Sequence, residues 1–420
     1  MVFSAVSLID VNEFFSADAT SDLPPADHRE SAAKMAQSLG LPDGSTEDWR
    51  YSPIDEFDLE SVKPVLTRPP KAELDRSDVA AHANAAHVTI IDGWVTNIDV
   101  AQDWEGKGLR VTTVQPEAVD LDDSATIFDY LHQAFSPETL LIESERNVVV
   151  TEPVVIETHH SGGPKAGFPS VVVKAGENSQ LTVIERQSAA EGDGITVTRL
   201  TESVANAANL GYITIQDLND QHVQVARLRA SVGAQAKLVG GYVSFGGKYA
   251  RVRTDVSLDG RGANGDLVGA YYGDGDQVLD FRTFQHHRAR DTRSDLLFKG
   301  SLDDKSGSVY TGMINIHPDG AGSNAFQTNR NIKLSEEAWA WSVPNLEIEN
   351  SDVRCSHATT VNPIDEDQEF YLQARGVPPV EADRLIVAGF FDEAVNRLPN
   401  EAAQVEARRL IANKLSRREK

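Results

Sequence analysis

At 420 residues, 40% of them hydrophobic and 25% charged, the chain has the length for two or three domains, or one long repetitive one, and the means to bury a sizeable core. Its net charge of −25 excludes nucleic acid and anionic membrane as partners, since both need cationic surface to displace counterions, and no apolar run approaches the roughly 20 residues that would span a bilayer. The single cysteine excludes an internal disulfide framework and, with no signal peptide, makes a reducing cytoplasm the expected compartment.

The acid is uneven: residues 1–60 carry 13 Asp/Glu against 3 Lys/Arg, while residues 407–420 carry 6 Lys/Arg against 1 Glu. A solvated start and a last helix whose cations suit its C-terminal dipole account for this; a docking role for either end is the alternative. Residues 1–84 form a first region. In it, "PPADHRESAAKMAQSLGLP" reads as one helix, opening after Pro24 and Pro25 and closing at Gly40 and Pro42. "TEDWRYSPIDEF" and the proline-rich "KPVLTRPPKAEL" follow, so the region is expected to be a helical cap with an extended linker.

From 85 to 362, Val, Ile and Thr dominate in short runs cut by Gly, Asn and Asp. In "ARVRTDVSL", Ala250, Val252, Thr254, Val256 and Leu258 point one way and Arg251, Arg253, Asp255 and Ser257 the other, as a half-buried strand requires. Similar runs begin near 212, 223, 236, 250, 265, 277, 295, 308 and 325, at separations of 11 to 18 residues. "LDGRGANGD" and "YYGDGDQ" supply turn chemistry between them. No helix is expected among these runs. The stretch is long for one sandwich and lacks the period and signatures of a propeller blade. A β-solenoid with irregular turns fits better, with paired sandwiches as the alternative.

Residues 363–420 read as helical. Pro363 and Asp365 open "IDEDQEFYLQARG", which Gly376 closes. Ala382, Leu385, Ile386, Gly389, Phe390 and Ala394 then make an apolar stripe, and Ala403, Ala407, Leu410, Ile411 and Leu415 a second. The body of the protein or another subunit would cover them.

Cys355 and His357, in "SDVRCSHATT", stand at i and i+2 of an extended segment and so leave the same face. Thiolate and imidazole are both good ligands for one soft or borderline metal. Two ligands do not close a tetrahedral site, and no CxxC or helical His pair is nearby. As nucleophile and base the pair is poorly aimed. A structural cysteine with a polar neighbour, and a ligand pair completed by a partner chain, both remain open here. In the doublets His159–His160 and His286–His287 only one member can face a given site, and each doublet reads as surface or turn histidine; His317 precedes a Pro-Asp-Gly turn. Asp274 and Asp276, or Asp303 and Asp304, could form a glycosidase dyad, but both pairs sit among turn residues where Asp is favoured anyway. "GGYVSFGGKYA" misses a phosphate loop, with Tyr242 in place of a glycine and Tyr249 in place of the hydroxyl.

Several stretches resemble the SufB/SufD family of iron–sulfur cluster assembly proteins. They are "DFRTFQHHRARDTRSDLLFKGSLDDKSGSVYTGMINI", "NAFQTNRNIKLSEEAWAWSVPNLEIENSDVRCSHATT" and "FYLQARGVPPVEADRLIVAGFF", with "TEDWRYSPI" and "VSLDGRGANGD" upstream. The SufD branch fits better. SufB-type chains carry a Glu-His-Glu-like sequence where this one has Cys355-Ser356-His357, and a reactive cysteine near "QTNRNIKLS" where this one has none. The resemblance implies a right-handed parallel β-helix between helical N- and C-terminal parts. It implies pairing with SufB through the β-helix, and a SufC ATPase on the C-terminal helices. It also implies that His357, and with less definition Cys355, are iron–sulfur ligands at the SufB junction. The cluster would be transient and shared with SufB, with none bound by the chain alone and no catalytic residue. Ala358 stands where the family usually has glycine, which narrows the backbone there. The family's His-x4-Thr spacing matches His287 and Thr292, so His287 is the member of its doublet to watch. A β-helical carbohydrate-active enzyme and a homodimeric SufB-like scaffold are the competing expectations.

Overall fold

The computed structural model describes residues 15–417, apart from 43, 55–56 and 72–76. The first part of the acidic start, a piece of the proline-rich linker and the last three residues therefore lie outside the described residues.

The alternation of small β-branched and polar residues builds a parallel β-solenoid of about 8 turns. Successive strands fall alternately into an 11-stranded and a 10-stranded sheet, and within each sheet a strand pairs with the strand one turn earlier and one turn later. From Tyr249–Leu258 to Arg354–Pro363 every strand is 10 residues long, so the turns stack without slippage. In-register stacking places like positions over one another: Ala250, Val252, Thr254, Val256 and Leu258 sit beside Leu279, Phe281, Thr283, Gln285 and His287. These even-numbered positions of Ala250–Leu258 face the lumen, as the alternation predicts. Leu228, Leu238, Leu267, Phe298 and Tyr310 fill the lumen with them.

One corner of the solenoid repeats a single backbone device. Asn178, Ala207, Gln235, Gly262, Asp291 and Gly322 all lie in the left-handed region, with φ of 55, 57, 56, 72, 58 and 80°. Each donates its amide to a carbonyl one turn further on: Asn178 to Asn206, Ala207 to Ala234, Gln235 to Arg261, Gly262 to Arg290, Asp291 to Ala321 and Gly322 to Asp352. The corner needs positive φ at every turn. Asn, Asp and Gly meet that need at low cost; Ala207 and Gln235 meet it under strain.

Each sheet has one face in the lumen, and the other face must be covered. The N-terminal region covers part of the 11-stranded sheet: Phe15, Trp49 and Phe57 pack with Phe128 and Phe135 over Val197, Val225 and Tyr249. The expected helix is present as Arg29–Leu39, ended by Gly40 at φ 66°. A second helix, Ile127–Phe135, was not anticipated. Its signal is a capping box, in which Thr126 and Asp129 bond reciprocally at the first turn.

The C-terminal helices are Glu366–Gln373, Pro379–Val395 and Glu401–Arg417; the last two cover the 10-stranded sheet, and the first, with no buried residue, packs beside the second. Asp365 caps the first, accepting from the amides of Asp367 and Gln368 at 3.0 and 3.1 Å. The second expected stripe, Ala403 to Leu415, packs on the body. The first is rotated from expectation. Val387, Phe391, Ala394 and Val395 face the sheet, whereas Leu385 and Gly389 are exposed. Two buried lysines tie this layer to the solenoid: Lys299 to Glu393 at 2.6 Å and Lys414 to Asp274 at 2.5 Å. No helix of the described residues is long and apolar enough to cross a membrane.

Candidate functional site

The solenoid stops with its interior open. Arg354–Pro363 is the edge strand of one sheet and Trp339–Ile348 the edge strand of the other. Positions that are buried one turn earlier emerge here. Leu267, Leu296, Gln327 and His357 form one lumen column, and Gly265, Ser294, Ala325 and Cys355 the next. Gln327 and Ala325 are buried, Cys355 is half-buried, and His357 is exposed. Cys355 and His357 thus leave the same face, as their spacing predicts, and that face is the lumen at its mouth.

The neighbouring lumen columns, which end at Thr359 and Val361, carry polar groups one turn below the mouth, at Asn329 and Asn331. Tyr271 donates to Asn331 at 2.7 Å, and Asn329 donates to Tyr271 at 3.0 Å. Gly312 stands opposite Gln327, and a β-carbon there would make the Gln327 amide shift from its present place. The Cys355 thiol packs against Ile314, Ile316 and Ala325, and this burial pushes its pKa up from 9.0. Free in solution it is a neutral thiol near pH 7, and becomes a strong ligand when a metal displaces its proton. Across the mouth, Leu346 and Ile348 cap the columns of Ile314 and Ile316 and are 36% and 45% exposed. An edge of this kind, with unpaired backbone groups and apolar side chains, is a template for another chain. Among the described residues no group of three or more His, Cys, Asp or Glu converges as a ligand set. A metal held at His357 and Cys355 would need further ligands from elsewhere.

His287 is placed differently. It is buried, with Nδ1 at 2.8 Å from the Thr292 hydroxyl and Nε2 at 2.9 Å from the Ser294 hydroxyl. Both ring nitrogens are engaged, so neither is free for a metal. Burial holds its pKa down to about 4, with His286 and His317 adding to the effect. The His-x4-Thr spacing therefore marks a lumen-filling pair. The other doublet needs correcting: His160 is buried, its ring 4.6 Å from that of His222, a residue with no sequence signal of its own. The carboxylate pairs are turn devices, as Asp274 is bound by Lys414 and Asp304 accepts from the Gly275 amide at 3.0 Å.

Sequence reasoning missed a buried network on the outer face of the 11-stranded sheet. Asp280 takes Arg282 at 2.6 Å and Arg251 at 2.9 Å. Burial alone would raise the Asp280 pKa, yet the two guanidiniums bring it down to about 2. The network grips the Trp-Arg-Tyr element: Ser52 donates to Asp280 at 2.7 Å, Arg282 to the Arg50 carbonyl at 3.0 Å, and Arg251 to the Asp48 carbonyl at 2.6 Å. Arg251 also lies 4.0 Å from the Trp49 ring centre. Next in sequence, Tyr51 stacks on Trp341 of the last turn at 4.5 Å and 5°. The N-terminal element thereby braces the mouth. The outward arginines of the alternating strand gave the only hint of this.

Beside the mouth, the C-terminal helices leave a groove of about 1110 Å³ lined by Pro363, Tyr371, Leu385, Ile386 and Phe390. Phe370, on the same short helix as Tyr371, is 74% exposed.

The family model described as "SUF system FeS cluster assembly, SufBD core domain" matches residues 156–390. The chain is 33% identical over 276 residues to the iron-sulfur cluster assembly SufBD family protein Rv1462 of Mycobacterium tuberculosis, covering 63% of this chain and 69% of that one. It is 25% identical to the iron-sulfur cluster assembly protein SufD of Escherichia coli over 421 residues, covering 98% and 97% of the two chains. With the SufD of Bacillus subtilis it shares 28% identity over 290 residues, covering 68% and 66%.

Proposed function

The chain belongs to the SufB/SufD family of iron–sulfur cluster assembly proteins, and from that premise we propose that it is the SufD-type, non-catalytic scaffold subunit of a cytoplasmic assembly complex. Its open mouth pairs with a SufB-type solenoid, and the groove on its C-terminal helices docks a SufC-type ATPase. His357, with Cys355 beside it, supplies half of the ligands to a nascent cluster, which is cargo for the complex.

One observation carries this reading: the lumen columns end in a half-buried thiol and an exposed imidazole on an unpaired edge strand. Burial of Leu346, Ile348 and Val361 against a partner is a strong drive for pairing. Phe370, Tyr371 and Leu385 offer the second partner an apolar face next to the first. A shared half-site suits cargo. Ligands from two chains bind well in one interface geometry and poorly in another, so ATP can act through the difference between the two.

The test is His357→Ala in the co-expressed complex with SufB- and SufC-type subunits. The expected outcome is an intact complex with cluster yield cut several-fold under anaerobic iron and sulfide. Normal yield refutes the ligand role. Cluster assembly by a stable homodimer of this chain, without SufB, refutes the scaffold assignment.

A further inference from the structure

Beneath residues 115–119 lies a cavity of about 340 Å³, remote in sequence from both the mouth and the helical groove. Its size falls within the roughly 300–1,000 Å³ of small-molecule pockets. Its floor is the outer face of the 11-stranded sheet, where Leu141, Val172 and Arg199 project. Pro116 and Val119 line it from above, and His132 from the helix Ile127–Phe135.

Two of these side chains are unfinished. Arg199 is 9% exposed, and its one hydrogen bond, at 3.0 Å, goes to the Asp129 backbone carbonyl. The Asp129 carboxylate is taken by Arg227 at 3.2 Å and the Thr126 amide at 2.9 Å. Among the described residues no carboxylate pairs with Arg199. The Asp129 charge reaches Arg199 but is shared with Arg227, and a buried guanidinium with no ion pair of its own is costly. The second is His132, 3% exposed, whose Nε2 donates to the Pro169 carbonyl at 3.0 Å. That bond fixes the proton on Nε2 and leaves Nδ1 as an acceptor, and Nδ1 has no partner. Of the other charged groups on the lining, Lys174 and Glu117 are both exposed.

A buried cation with free donors, a lone acceptor and apolar walls match one class of ligand. We propose that this cavity binds a small organic monoanion, its carboxylate on the Arg199 fork, its hydroxyl on His132 Nδ1 and its apolar body against Leu141 and Val172. The chain's net charge of −25 repels anions in general, so binding here is local to the cavity.

The experiment uses the full chain and 3-fluoro-4-hydroxybenzoate, observed by fluorine NMR. The uncharged 3-fluoro-4-hydroxybenzamide serves as the matched control. Wild type should bind the acid with a Kd of about 1 mM or tighter. It should bind the amide at least about tenfold more weakly, as loss of a charged hydrogen-bond pair implies. Arg199→Met should weaken the acid by a similar factor. Val172→Phe fills the cavity while leaving Arg199 in place, and should abolish binding even if the arginine variant fails to fold. His357→Ala should bind like wild type, which separates this site from the mouth. No binding to wild type at about 5 mM, equal binding of acid and amide, or full retention in Val172→Phe overturns the proposal.

Discussion

Replacing Asp280 by Asn tests whether the N-terminal element is held by charge. The carboxylate accepts from Arg251, Arg282, Ser52 and Tyr249 within 2.9 Å, and it has no solvent exposure. Asn keeps the shape but puts an NH₂ where guanidinium groups already donate, and leaves two buried cations without a counter-charge. Breaking a buried pair in this way costs about 3–5 kcal/mol. Part of the loss should track pH. The Asp280 pKa falls from 3.8 to about 2 on folding. A lowered carboxyl pKa stabilises the fold fully above the unfolded value and less as pH drops toward the folded one. The shift is worth roughly 2–3 kcal/mol at pH 7 and about 1 kcal/mol less at pH 3. Urea unfolding of both proteins at pH 7 and pH 3, followed by tryptophan fluorescence, reads the difference. Trypsin should also cut near Arg50 sooner in the variant. A gap under about 1 kcal/mol at pH 7, or one that does not narrow at pH 3, would falsify the idea that charge pins this segment.

Other outcomes follow from residues already described. The fold should lose roughly 3 kcal/mol as pH falls from 6.5 to about 4 through His287 alone, because the unfolded chain takes up a proton that the buried ring refuses; His287→Gln should flatten the stability–pH curve in that window. Cys355 should react with iodoacetamide more slowly than glutathione at pH 7.5, and a bound SufB-type partner should slow it further; mass spectrometry reads both rates, and reaction as fast as that of a free thiol contradicts the burial argument. Ala207→Gly relieves a residue at φ 57° and should raise stability by about 0.5–1 kcal/mol in urea titration, with no gain counting against strain at that corner.

The sequence made the strands legible and concealed the coil. Period-two alternation in Ala250–Leu258 is a local signal, and it survives in the structure. The turn of the solenoid is visible only when the runs are taken two at a time, because strands alternate between sheets: Lys237, Asn264, Arg293 and Asn324 begin successive strands of one sheet. Taken one at a time, their spacing looks irregular. Helix phase was ambiguous for a related reason. Leu385, Ile386, Val387, Phe390 and Phe391 put apolar groups on more than one face, so the sheet rather than the helix decides which face is buried. The shared face of Cys355 and His357 was legible from their spacing. That the face opens at the mouth depends on where the turns stop, which no local pattern encodes. Arg251 read only as an outward residue of its strand, since its partner Asp280 and the covering segment at Asp48 to Ser52 are distant in sequence.

The final turn has a neighbour on one side only. In a stack whose cohesion is the sum of contacts between adjacent layers, the outermost layer is the loosest. Here that layer carries the thiol and the imidazole, and the stack of Tyr51 on Trp341 is one of the contacts that hold it against fraying. A second solenoid docking on it acts as the missing layer, so tightening of the ligands and joining of the chains become one event, and whatever parts the chains also slackens the grip.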